Sequence, residues 1–319
     1  MLNNFTLAIN SISLSETKQA GISLTMVRAD SIHPLASGNK LYKLQPNIDY
    51  IKQHAYQQVL SFGGAFSNHI YALALYSQSL GLQSIGIIRG EPEYARNTTL
   101  SVAARSGMKL VFVDRATYRL RHNKDYLQAL QQEYPQAFII PEGGSNHLAL
   151  QGCSTLMRQI NKSYQKKQAK IPDVITTACG TGTTFAGLVT GAKKDQSVRG
   201  YLILKDKSVH THVNELLKNT LDDSLHSIEA ADFGGYAKFN AELLDFILNF
   251  LAQTNILLDP IYTSKMCRQL VQDIRSGKFK KNTHIALLHT GGLQAWHGMK
   301  DKVIQLRGDE AWDKIITKL

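Results

Sequence analysis

Short apolar runs alternate with longer helical stretches from about residue 50 to residue 145, and this alternation constrains the fold of the chain more than any other feature. Residues 58–62, 84–88, 109–113 and 137–140 read as strands. Between them, residues 68–80 read as a helix closed by Gly81, 97–106 as a helix capped by Asn97 and ended by Gly107, and 118–134 as a third helix. Strands spaced by helices in this way form a parallel sheet with both faces covered. The same rhythm resumes later, with strands at 173–177, 200–204, 227–230 and 284–289 and helices at 184–193, 242–253 and 264–276. The expected fold class is therefore α/β, with two open parallel-sheet domains. A smaller domain over residues 46–150 is expected to be inserted into a larger one formed by 1–45 and 151–319.

Composition narrows the function classes. The 319 residues are 43% hydrophobic and 19% charged, as in ordinary globular proteins. No apolar stretch has the length needed to cross a bilayer, and the N-terminus lacks the basic start and apolar run of a secretory signal. Cys153, Cys179 and Cys267 are odd in number and far apart, so they give neither a disulfide framework nor a metal-ligand spacing. A cytoplasmic location is the expectation, with no resident metal and no membrane partner. The net charge of +11 is spread over the chain, with small lysine clusters near 162–170 and 278–281. No basic stripe interleaves with aromatic residues, so nucleic acid is not an expected partner. A positive field does favour anionic cofactors and carboxylates.

Five segments carry the chemistry: Ser37-Gly38-Asn39-Lys40, Gly63 to Asn68 (GGAFSN), Pro141 to Asn146 (PEGGSN), Cys179 to Thr184 (CGTGTT) and Asp259 to Tyr262 (DPIY). GGAFSN, PEGGSN, CGTGTT and the later HTGG all follow strands directly, which is where open α/β sheets bind ligands. In CGTGTT, Gly180 and Gly182 let backbone approach a ligand, Thr181, Thr183 and Thr184 add hydroxyls, and the following helix points its positive end at the loop. The pattern is neither a dinucleotide fingerprint nor a P-loop. Lys40 and Lys43 lie one helical turn apart, and a lysine that forms a Schiff base must be partly desolvated. The sequence leaves open which of the two is buried. Asn68 reads as a helix cap, and His69 follows it on an otherwise apolar helix. A lysine amine, a hydroxyl beside an amide, an anion cradle and a tyrosine together suit pyridoxal phosphate and carbanion chemistry on an amino acid.

The motifs GNKLYKL, SFGGAFSNH, NTTL, PEGGSN, ACGTGTT, LLDPIYTSK and HTGG run nearly end to end. In them the chain resembles the fold-type II pyridoxal-phosphate enzymes related to the tryptophan synthase β-subunit. Within these it resembles the branch holding 1-aminocyclopropane-1-carboxylate (ACC) deaminase and D-cysteine desulfhydrase. The resemblance implies that Lys40 carries pyridoxal 5'-phosphate as a Schiff base and that Asn68 bonds the ring hydroxyl. It implies that Gly180, Thr181, Gly182, Thr183 and Thr184 bind the phosphate. Ser67 and His69 would meet the substrate, with Ser67 by its carboxylate or Cα. Tyr262 and Tyr236 would face the substrate as stacking or acid–base groups, although the usual tyrosine-glycine pair reads Tyr236-Ala237 here. A homodimer is also implied.

Two departures separate the chemistries of the branch. ACC deaminases carry Glu just after the DPxY tyrosine and Leu just before the final GG. Here these positions are Thr263 and Thr290. The first would face the pyridine nitrogen, where a hydroxyl is a weaker partner than a carboxylate and is compatible with a neutral ring. That favours α,β-elimination, in which a thiolate leaves promptly, over opening a cyclopropane. The resemblance thus implies conversion of D-cysteine, or a similar β-substituted alanine, to pyruvate, ammonia and hydrogen sulfide. ACC deamination to 2-oxobutyrate is the alternative, and a non-catalytic cofactor or amino-acid binding protein is the third reading.

Overall fold

A computed structural model describes residues 6–33, 38–206, 208–235 and 238–319 of the chain. The chain begins with β1 (Ala8–Ile12), α1 (Ser15–Ala20) and β2 (Ser23–Arg28). It passes through α2 (Asn39–Gln53) into β3 (Gln58–Gly64), α3 (Asn68–Ser79), β4 (Gln83–Arg89), α4 (Thr98–Arg105), β5 (Lys109–Val113), α5 (Arg115–Arg119), α6 (Lys124–Glu133) and β6 (Ala137–Ile140). The long α7 (His147–Lys166) leads to β7 (Val174–Cys179), α8 (Thr183–Gly191), β8 (Ser197–Leu202), α9 (Ser208–Leu216) and β9 (Ser227–Ala230). The chain ends with α10 (Ala241–Thr254), α11 (Thr263–Arg275), β10 (His284–His289), α12 (Lys300–Arg307) and α13 (Asp309–Ile316). Two compact units result. One holds the described residues up to Ile32, then Gly38 and Asn39, then Cys153–Leu319; the other holds His33 and Lys40–Gly152.

The first unit contains a six-stranded sheet in the order β1-β2-β10-β7-β8-β9. All its pairings are parallel except β1 on β2, an antiparallel edge. Every residue of β7 and of β10 is buried, as expected of central strands covered on both faces. From β7 the chain proceeds outward to β8 and β9, while β10 returns on the other side of β7. The order therefore reverses between β7 and β10, and their C-terminal loops, CGTGTT and HTGG, flank that switch point. Leu24, Met26, Ile285, Leu287, Met266 and Leu270 are among the residues that form the core beneath.

The second unit contains a four-stranded sheet in the order β5-β4-β3-β6, all parallel. Its order reverses between β3 and β6, and GGAFSN and PEGGSN leave from the C-terminal ends of those two strands. Leu60, Phe62, Ile85 and Ile87 pack under the sheet with Tyr118 and Leu130.

The helix expected over 118–134 is two helices separated by a short 3-10 turn at Leu120–His122. Asp114 Oδ1 accepts the Ala116 and Thr117 amides, and Asn123 Oδ1 accepts the Tyr126 amide, so each cap starts its own helix. Similarly, the cap of α3 is Ser67 rather than Asn68. Ser67 Oγ accepts the Ile70 amide at 3.3 Å, and Asn68 is the first helical residue. The Ser67 side chain is drawn close because Gly63 has none: a Cβ there would come within 2.8 Å of Ser67 Oγ.

In the second unit, α2 and the start of α7 approach so closely that a Cβ on Gly152 would lie 1.8 Å from the Tyr42 carbonyl oxygen. Backbone cannot yield as a flexible side chain would. Gly152→Ala is therefore expected to lower stability by about 1–3 kcal/mol despite its gain in helix propensity, measured by urea unfolding followed by circular dichroism.

Candidate active site

In the first unit the site residues gather around the β7–β10 switch point. Gly182 adopts φ +82° and precedes α8, and a Cβ on it would strike Val213 at 2.5 Å. No side chain caps α8, in contrast to α3, α4 and α10, which Ser67, Asn97 and Asn240 cap. The positive end of an uncapped helix is a natural seat for an anion. Thr183 and Thr184 are buried in its first turn. Thr181 and Gly180 are partly exposed on the loop, and the Tyr262 ring lies over Gly180, 3.4 Å from where a Cβ would stand.

Asp259 builds the turn that places Tyr262 and Thr263. It is fully buried, and its Oδ1 accepts the amides of Ile261 at 3.0 Å and Tyr262 at 2.7 Å, while Oδ2 accepts that of Thr263 at 2.7 Å. This explains the Asp-Pro start of DPIY as a turn-forming element. The turn leaves Thr263 Oγ1 buried with no hydrogen-bond partner among the described residues. An orphaned hydroxyl in a protein interior is costly unless a ligand satisfies it.

The HTGG loop is held by His289, which is fully buried. Its Nδ1 accepts the Gly291 N–H at 3.2 Å, which leaves the ring proton on Nε2 to be donated to the Leu257 carbonyl at 2.9 Å. The following residue, Thr290, presents its carbonyl to the Asn39 N–H at 3.4 Å. Gly38 is tight against the same carbonyl, since a Cβ there would lie 1.8 Å from Thr290 O. The Asn39 side chain also donates from Nδ2 to Thr184 Oγ1 at 2.8 Å. Asn39 is thus tied to both motif loops of the first unit, and the peptide bond that follows it leads to Lys40.

In the second unit, Lys40 stands in the first turn of α2 and is partly buried. Lys43, one turn on, is 3% exposed and donates from Nζ to the Gly143 carbonyl at 3.0 Å. Burial alone would select Lys43 as the desolvated lysine, but the carbonyl of PEGGSN engages its ammonium. Asn146 of the same motif caps α7 through the Ala149 amide and pairs its own amide with Asn47 of α2. Ser67 and Asn68 are half-buried at the start of α3.

His69 turns away from the surface and is 2% exposed. Ser61 Oγ donates to the Ile140 carbonyl at 2.8 Å and so accepts from His69 Nε2, also at 2.8 Å. The other nitrogen, Nδ1, is a buried acceptor with no partner among the described residues. Burial, reinforced by the charges of Lys40 and Lys43, holds the imidazole well below its ordinary pKa of 6.5. Tyr236 lies outside the described residues.

A family model described as pyridoxal-phosphate dependent enzyme matches residues 7–291. The chain belongs to that family. It is a pyridoxal-phosphate-dependent enzyme with the fold-type II architecture. A protein from Arabidopsis thaliana named bifunctional D-cysteine desulfhydrase/1-aminocyclopropane-1-carboxylate deaminase, mitochondrial, is 28% identical over 92% of this chain and 78% of its own length. A D-cysteine desulfhydrase from Serratia proteamaculans is 24% identical over 84% of this chain and 86% of its own. The crystal structure of an ACC deaminase homologue has a TM-score of 0.82 at 22% identity, over 96% of this chain and 95% of that one.

The residues of the first unit fit the cofactor on two counts. The start of α8 is uncapped, and Thr263 Oγ1 is a buried orphan among the described residues that a ligand would satisfy. From the sequence, the roles of Asn39, Asp259, His289 and Ser61 are not apparent. All four sit inside recognisable motifs, in GNK, DPIY, HTGG and SFGGAFSNH, but the motifs do not reveal these tasks.

The burial of His69 has a pH consequence. Folded, the imidazole stays neutral; unfolded, it takes a proton near 6.5. Protons therefore favour the unfolded chain below that pH, and the stability contributed above 6.5 is lost as pH falls. His69→Gln is expected to flatten the decline in stability between about pH 6.5 and 5, measured by urea unfolding at a series of pH values.

Proposed function

We propose that the enzyme catalyses α,β-elimination on D-cysteine, taking up water and releasing pyruvate, ammonia and hydrogen sulfide. The observation that carries this reading is Thr263. Its hydroxyl is buried and unpartnered at the position where the resemblance places a carboxylate in ACC deaminases.

When bound, pyridoxal phosphate supplies the electron-withdrawing ring that makes the Cα proton of the amino acid removable. Lys40 would anchor the cofactor, and its Nζ would carry the Cα proton. The Gly180–Thr184 loop and the uncapped start of α8 hold the phosphate. Asn68 bonds the ring hydroxyl. Ser67 Oγ accepts the Ile70 amide, which leaves its own proton for the substrate carboxylate. Tyr262 is fixed by Asp259 over Gly180, where it covers the ring and keeps water from one side. Tyr236 completes the substrate-facing set, and the buried imidazole of His69 follows Ser67 and Asn68 at the start of α3.

Thr263 sets the demand on the leaving group. A hydroxyl would hold a proton on the cofactor's ring nitrogen less firmly than a carboxylate, so the cofactor would supply a weaker electron sink. That would suit a substrate whose Cβ carries a good leaving group such as a thiolate better than a cyclopropane. The Arabidopsis relative's name joins both activities, which makes ACC deamination the second reading. Thr263, and Thr290 before the final glycines, stand against it.

A coupled assay on the yellow protein tests the proposal, with D-cysteine, L-cysteine and ACC in parallel. Pyruvate from D-cysteine and no 2-oxobutyrate from ACC is the expected result. Turnover of ACC at a comparable rate would overturn the argument from Thr263.

A further inference from the structure

Thr184 Oγ1 lies 2.8 Å from Asn39 Nδ2, and an amide nitrogen can only donate. The threonine oxygen is therefore the acceptor in this contact. Its own proton has no acceptor among the described residues, although the side chain is 4% exposed. Asn39 is itself 6% exposed, and its backbone is held by the Thr290 carbonyl, so its amide has little freedom to turn away. A hydroxyl that accepts from a fixed donor is oriented: its remaining lone pair and its proton point elsewhere. Here they lie at the first turn of α8, where no side chain caps the helix.

We propose that Asn39 is a positioning residue that makes the Thr184 hydroxyl an obligate donor to the cofactor phosphate. The inference rests on the reading of the Gly180–Thr184 loop as the phosphate cradle. It gives Asn39 a second task besides preceding Lys40. One residue orients a phosphate donor at one end of the cofactor and fixes the backbone that enters the lysine at the other. Aspartate at this position would reverse the hydrogen bond, because a carboxylate accepts the threonine proton and so withdraws it from the phosphate. The reversal is specific to the phosphate, since pyridoxal lacks that group and still reacts with a lysine amine.

The test is titration of the apo-protein with pyridoxal 5'-phosphate and, separately, with pyridoxal, followed by absorbance. Asn39→Asp is expected to weaken pyridoxal phosphate binding about tenfold, the order of one hydrogen bond to a charged group, and to leave pyridoxal binding unchanged. Asn39→Ala, which adds no charge, is expected to show a smaller loss with the same selectivity. In a Thr184→Val background, Asn39→Ala is expected to add no further loss, because the group it acts through is gone. Equal weakening of both ligands, or a full additional loss in the Thr184→Val background, would overturn the inference. Thr184→Val alone separates the two ideas. If it leaves pyridoxal phosphate binding intact, the cradle reading itself fails; if it weakens that binding while Asn39→Asp does not, only the role of Asn39 fails.

Discussion

A parallel sheet presents a ligand-sized opening only where successive connections leave it in opposite directions, and each of the two sheets has one such place. In the six-stranded sheet it lies between β7 and β10, in the four-stranded sheet between β3 and β6. Four of the glycine-bearing motifs leave from the ends of those strands. Their glycines follow from that position. Gly182 turns the chain through a left-handed conformation into α8, and Gly63 lets the Ser67 side chain sit over the end of β3. The strand order thus decides where the chemistry sits, and the loops decide what it is.

Within that frame the polar contacts divide the labour. Asp259 satisfies three amides with one carboxylate and so presents Tyr262 and Thr263 in a fixed turn. His289 joins the HTGG loop to the segment before Asp259. Asn39 collects the Thr290 carbonyl and the Thr184 hydroxyl one residue before the lysine. These groups are spent on protein. Among the described residues, Thr263 Oγ1, the Thr184 proton and the start of α8 have no side-chain partner. A site of this kind is recognised as much by the polar groups left over as by those that are paired.

The central strands are legible in the sequence because burial on both faces leaves a short apolar run with a glycine after it. Lys109–Val113, Ala137–Ile140 and His284–His289 occupy the expected residues. The first fifty residues are not legible in the same way. β1 is a mostly exposed edge strand without alternation, and α2 contains Pro46, which a sequence reading takes as a breaker. Between 118 and 134 the helical period is continuous enough to read as one helix, and only the capping bonds of Asp114 and Asn123 show two. The same holds at the site. The motifs mark their positions, but adjacent Ser67 and Asn68 are both good caps, and only the tight turn at Gly63 decides for Ser67. Lys40 and Lys43 are equivalent by residue type, and only the resemblance of GNK singles out Lys40. In the fold Lys43 is buried and donates to the Gly143 carbonyl, one hundred residues along the chain.

Lys40, not the more deeply buried Lys43, is the residue proposed to bind the cofactor. Borohydride reduction of the yellow protein, followed by digestion and mass spectrometry of the lysine peptides, tests that directly. The pyridoxyl phosphate mass is predicted on Lys40. Finding it on Lys43 would contradict the account, because the amine engaged by Gly143 would then be the reactive one and the ties through Asn39 would serve no lysine.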